Sequence, residues 1–175
     1  MNRRGATLKP SDVNPGDYAA IYFVGGHGVL WDFPDNADFQ QLSRKIYENG
    51  GIVSSVCHGA VGLLNITLSD GTLLIKGKQV TGFSDEEERL AQLDQYVPFL
   101  TEAELKKRGA AYRKAEKPWE AFAVADHRVI TGQNPASGGA VADLGDGDPA
   151  GADGGFTLVG DTLREAYDPK LRTER

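Results

Sequence analysis

The order of elements between residues 18 and 66 constrains this chain more than any other feature. "YAAIYFVGG" (18–26) is an apolar, β-rich run ended by glycines, and reads as a buried strand. "ADFQQLSRKIYENGG" (37–51) sets Phe39, Leu42, Ile46 and Tyr47 at helical spacing, with Gly50 and Gly51 to close the helix. "IVSSV" (52–56) is a second buried strand, and "HGAVGLLNI" behind it reads as a helix whose glycines permit close approach to a sheet. Strand, helix, strand, helix in that order implies an α/β fold with a mostly parallel sheet and right-handed crossovers.

Further along, "GTLLIKGKQVTGF" (71–83) reads as two short strands around "KGK", and "DEEERLAQLDQYV" (85–97) as a helix with acids in its first turn, where the helix dipole favours them. "TEAELKKRGA" opens on an expected capping box, Thr101 with Glu104, and stops at Gly109. "AFAVADHRVITGQ" (121–133) reads as two strands around "DH", with "NPAS" opening a helix. From Gly138 to Gly160 glycine and aspartate dominate and periodicity is lost, so that stretch is expected to be flexible. A short helix is expected over "TLREAYDPKLRTER" at the end.

With 175 residues, 40% hydrophobic and 25% charged, the chain has the length and composition of one globular domain. A formal charge of -6 argues against nucleic acid or an anionic membrane as partner. No run approaches the length a membrane helix requires, and the basic start has no apolar segment behind it, as a secretory signal would. The sole cysteine excludes an internal disulfide and a cysteine-based zinc site, so a cytoplasmic setting is the natural expectation.

That cysteine, Cys57, stands where the second strand gives way to "HGAVG", with His58 directly after it. A nucleophile at such a junction is exposed at the carboxyl edge of the sheet, where ligands bind in open α/β folds. A helix N-terminus there lowers a thiol pKa and offers free N–H groups to an oxyanion. Gly59 would ease the strained turn. The competing reading is a buried cysteine acting as a small hydrophobe. "GGHG" (Gly25, Gly26, His27, Gly28) follows the first strand and so belongs to the same edge, where glycines let amides approach a reacting atom. It lacks the GxGxxG pattern of a dinucleotide site, so no such cofactor is expected. His27, His58 and Cys57 match no standard zinc spacing, so no metal is expected, and His127 reads as a surface residue in a turn. Among Asp85, Glu86, Glu87 and Glu88, one carboxylate could orient a histidine and complete a Cys-His-acid triad; spacing does not choose which.

Taken together, "FVGGHGVLWDFPD", "VSSVCHGAVGLL", "GKQVTGFSDEEE", "VPFLTEAELKKRGAAY" and "VITGQNPAS" resemble the ThiJ/PfpI superfamily, relatives of class I glutamine amidotransferases, and within it the heat-shock/glyoxalase III branch. The resemblance covers roughly residues 8 to 142 and implies a flavodoxin-like three-layer sandwich. It implies Cys57 as nucleophile, His58 as its partner and Glu88 as the acid, with Gly25, Gly26 and His27 in the loop beside the thiol. Backbone amides near Gly26 and His58 would form the oxyanion hole. The implied reaction converts methylglyoxal, a small aldehyde, to D-lactate without glutathione or any cofactor, through a cysteine hemithioacetal. Family members are commonly homodimers. Alternatives on the same fold are a cysteine peptidase or amidase, a stress chaperone or redox sensor, and an inactive fragment.

Two departures follow from the same resemblance. The family begins with a further strand and helix, including a glutamate that touches the cysteine, and this chain starts beyond them. After "NPAS" it continues as an alanine-rich helix, where this chain has "GGAVADLGDGDPAGADGG". The expectation is therefore a family domain over 1–142, incomplete at both ends, and a Gly/Asp-rich flexible tail over 143–175.

Overall fold

The computed structural model describes residues 8–146. Its elements run β1 (Ala20–Phe23), α1 (Val29–Asp32), α2 (Ala37–Glu48), β2 (Ile52–Val56), a 3-10 helix (Cys57–Leu63), β3 (Gln79–Val80), α3 (Asp85–Leu90), α4 (Thr101–Lys107), β4 (Ala111–Tyr112), β5 (Ala123–Asp126), β6 (Val129–Gly132) and α5 (Gly138–Asp146). The fold is mixed α/β around an open sheet of order β1-β2-β6-β5. β1 pairs parallel to β2 and β2 parallel to β6, while β5 returns antiparallel to β6 through a tight turn at His127. β3 and β4 form a separate two-stranded parallel ladder.

Alternation along the strands builds two cores. Val53 and Val129, opposite each other in register, join Phe23 and the 3-10 helix in the larger cluster, against which Phe39 and Tyr47 of α2 pack. Their neighbours Ile52 and Ile130 face the other way and meet Val141 of α5. Helices on both faces make the expected sandwich of three layers. β2, covered on both faces and both edges, is buried at every residue. β1 is an edge of the sheet among the described residues, with Ala20, Ile21 and Tyr22 half-buried.

α2 follows its sequence closely. The Asn36 side chain caps it by accepting from the Phe39 N–H at 3.1 Å. Ile46 is buried, and Gly51 is required because a Cβ there would meet the Ala19 carbonyl oxygen at 2.7 Å.

Several elements differ from expectation. Of the two strands expected around "KGK", only Gln79–Val80 joins a ladder; Leu74 and Ile75 are buried in turns, beside an isolated bridge between Thr67 and Leu73. The helix expected over 85–97 stops at Leu90, and Gln92 at φ 59° has left the helical region. The capping box lies at Ser84 and Glu87, not at Thr101 and Glu104: Leu100 caps α4 without a side-chain bond, and Glu104 turns to Lys107 and Arg108. The segment after Cys57 is a 3-10 helix, wound tightly where Gly59 and Gly62 press on Phe23. α5 runs from Gly138 to Asp146 through residues expected to be flexible, because burying Val141 and Ala142 on the sheet outweighs the low helix propensity of its glycines. The remainder of the expected tail and its terminal helix lie outside the described residues.

Candidate active site

The parallel strands β1, β2 and β6 all end at one edge, so the loop from Gly25, the start of the 3-10 helix and the segment at Gln133 converge there. Cys57 occupies the first residue after β2 with φ 59°, left-handed for a residue with a side chain. Such strain costs on the order of 1–3 kcal/mol and persists only where packing enforces it. Gly59 permits the turn: a Cβ at that position would stand 2.1 Å from the Phe23 carbonyl oxygen, so only glycine lets the chain pass directly against β1.

The thiol is 5% exposed, packed with Val56 and Phe83 and flanked by Tyr22. Its sulfur lies 3.3 Å from His58 Nδ1. His58, 1% exposed, makes a 2.6 Å hydrogen bond from Nε2 to Glu88 Oε2. His27 Nε2 is hydrogen-bonded to the other oxygen of the same carboxyl group, Oε1, at 2.8 Å. The His27 and His58 rings are 4.1 Å apart, and Phe83 lies 4.2 Å from His58 on the way to Trp119.

Burial pushes the Cys57 thiol up to about 11, against the lowering effect of the His58 and Gly26 backbone N–H groups, which donate toward sulfur. The expected depression by a helix N-terminus is therefore overturned. The helix is a short 3-10 segment, and desolvation of the charged form is the larger effect. Burial also lowers His58 below the usual histidine range, although Glu88 opposes it. His58 is thus neutral at pH 7, and with its proton on Nε2 toward Glu88, Nδ1 presents a lone pair to the S–H group. That is the orientation of a base.

The DJ-1/PfpI family profile matches residues 4–142. The chain belongs to the DJ-1/PfpI family. It is 40% identical over 134 residues to Glyoxalase 3 of Candida albicans, covering 74% of this chain and 57% of that protein. It is 38% identical over 143 residues to Glutathione-independent glyoxalase HSP31 of Saccharomyces cerevisiae, covering 78% of this chain and 60% of the relative. Among solved structures, Rapid Encystment Protein 24 kDa of Francisella tularensis aligns with TM-score 0.74 at 35% identity, covering 89% of this chain and 63% of that one. Glyoxalase III of Candida albicans aligns with TM-score 0.68 at 38% identity, covering 73% and 56%. The chain thus spans somewhat more than half the length of the curated relatives it matches.

In this DJ-1/PfpI chain, Cys57, His58, Glu88 and His27 come together, and Gly25 and Gly26 line the sulfur. A Cβ on Gly25 would lie 3.3 Å from Sγ, while Gly26 turns at φ 114°. His127 is exposed in the β5–β6 turn, away from the group. Of the other acids, Glu86 faces Lys114, and the Asp85 backbone N–H donates to Glu102. His27, His58 and Glu88 are also a set whose donor atoms, all within 4.8 Å of one another, could approach a metal ion. Each carboxyl oxygen is already joined to one imidazole, however, so the three satisfy one another as a hydrogen-bonded network.

Glu87 was legible only as one of four acids at a helix start. It is 0% exposed, and it accepts from the Ser84 N–H and hydroxyl, the Trp119 N–H, Gln133 and Asn134. Burial works against its charge, yet these donors hold it below the usual carboxylate range. It ties α3, which carries Glu88, to the Trp119 loop and to the segment after β6. The serine three residues before Glu87 was the available signal.

Proposed function

We propose that this chain acts on small 2-oxoaldehydes as a glutathione-independent glyoxalase, converting methylglyoxal to D-lactate, in a cytoplasmic setting where its single thiol stays reduced. The observation that carries the reading is the continuous contact from Cys57 Sγ to His58 Nδ1 and from His58 Nε2 to Glu88. The names of the Candida and Saccharomyces relatives support the choice of substrate.

Sulfur attacks the aldehyde carbon as His58 Nδ1 takes the S–H proton, and the resulting oxyanion is received by the Gly26 and His58 amides. A proton then moves from that carbon to its neighbour through an enediol, leaving a thioester that water hydrolyses to free thiol and D-lactate. His58, neutral and beside the sulfur, is the proton carrier for these transfers. A thiol 5% exposed between Val56 and Phe83 suits a three-carbon electrophile better than an extended peptide, which sets this reading above a peptidase.

The test is methylglyoxal consumption without glutathione, with D-lactate measured, for the wild type and Cys57→Ser. D-lactate from the wild type and none from the variant is expected. Amine release from small peptides without D-lactate would replace this reading with the peptidase; neither activity, with intact suppression of aggregation, would replace it with the chaperone.

A further inference from the structure

The two imidazoles on Glu88 differ in their access to water. His58 is 1% exposed and Cys57 5%, whereas the His27 side chain is 36% exposed. A proton leaving the thiol therefore reaches a base that cannot itself exchange with solvent. Glu88 joins that base through Oε2 to a second imidazole through Oε1, and the second imidazole reaches the surface. Phe83 covers the His58 ring at 4.2 Å.

We propose that His27 is the proton port of this site, exchanging protons between buried His58 and water through the two oxygens of Glu88. The proposal rests on the Cys57–His58 pairing advanced above and assigns His27 a role of its own, distinct from lining the substrate. In the form that carries a proton outward, His27 bears a proton on Nδ1 toward water, and another is shared between its Nε2 and Glu88 Oε1. Once His58 Nδ1 has taken the thiol proton, its Nε2 proton passes to Oε2. The shared proton settles on His27 Nε2, and the Nδ1 proton leaves to water. One proton enters the chain and one leaves, so the net charge of the group returns to its starting value.

The test is the rate of Cys57 alkylation by iodoacetamide at neutral pH in dilute buffer, alongside methylglyoxal turnover. Alkylation also expels the thiol proton but needs no glyoxalase chemistry. His27→Gln keeps an N–H donor for Glu88 and cannot relay a proton; His27→Ala opens a space that imidazole can enter. We expect both variants to slow by on the order of 10²-fold in dilute buffer. Added imidazole should restore His27→Ala in proportion to its concentration and leave the wild type unchanged. Wild-type rates in His27→Gln would overturn the proposal and leave His27 only a positioning role. A loss in His27→Ala that imidazole does not relieve would overturn it as well. If His27→Ala fails to fold, His27→Gln alone decides. Imidazole-dependent alkylation of His27→Ala, together with a wild type that does not turn over methylglyoxal, would sink the glyoxalase reading and leave the proton port standing.

Discussion

Gly25 lies so close to Cys57 that a methyl group on it would stand 2.8 Å from the Cys57 Cβ and 3.0 Å from the Val56 carbonyl oxygen. Neither neighbour is the free end of a flexible side chain. Gly25→Ala should therefore destabilise the fold by about 1–3 kcal/mol, the usual cost of an overpacked contact. It should also displace the sulfur from His58 and slow alkylation of Cys57. Denaturant titration and a thiol-alkylation time course check the two effects; wild-type behaviour in both would show that the loop yields freely.

The buried thiol gives stability an alkaline limb. Folding raises the Cys57 value from 9.0 to about 11, so the unfolded chain loses this proton first as pH rises. Its contribution is whole below 9.0 and is lost as pH climbs through about 11, on the order of 2 kcal/mol in all. Cys57→Ser removes this contribution while keeping Tyr112, another buried group raised by desolvation. Urea titrations across that range should show the wild type losing stability more steeply than Cys57→Ser; parallel curves would show the thiol ionising freely.

Glu87 makes the opposite prediction at acid pH. Its donors hold the folded carboxyl below the ordinary 4.5, so the unfolded chain protonates first as pH falls. The contribution is complete above 4.5 and fades as pH drops through the lower folded value. Glu87→Gln should cost about 2–3 kcal/mol at neutral pH, with several buried donors left facing an amide, and the difference from wild type should shrink in acid. A pH series of denaturant midpoints checks both magnitude and direction.

What was legible in the sequence follows from range. α2 was readable because the spacing of Phe39, Leu42, Ile46 and Tyr47 and the glycines that close it are local signals, and Ile46 is buried as that spacing requires. β2 was readable because Ile52, Val53 and Val56 make a short β-rich run between the glycines that end α2 and Cys57, although its two serines are buried with them. Leu74 and Ile75 misled because an apolar run reports burial and says little about backbone, and here the burial is achieved in turns. α5 was hidden because its helix depends on contact of Val141 with Ile52 and Ile130. At the site, Cys57 and His58 announce themselves as neighbours in the chain. Spacing did not choose Glu88 over Glu87; the family resemblance did, and the physical reason is the helix geometry that turns one carboxylate to the histidines and the other to Ser84 and Asn134. The bond from His27 to Glu88 joins residues 61 apart, and no local pattern encodes it.

The claim that His58 and Glu88 serve Cys57 as one unit is tested most directly by a double-variant cycle on methylglyoxal turnover. His58→Gln and Glu88→Gln should each lower kcat by on the order of 10³-fold, and the double variant should be no slower than the slower single one, as for residues that act together. If the double variant instead falls by the product of the two single losses, the residues act independently and the triad account is wrong.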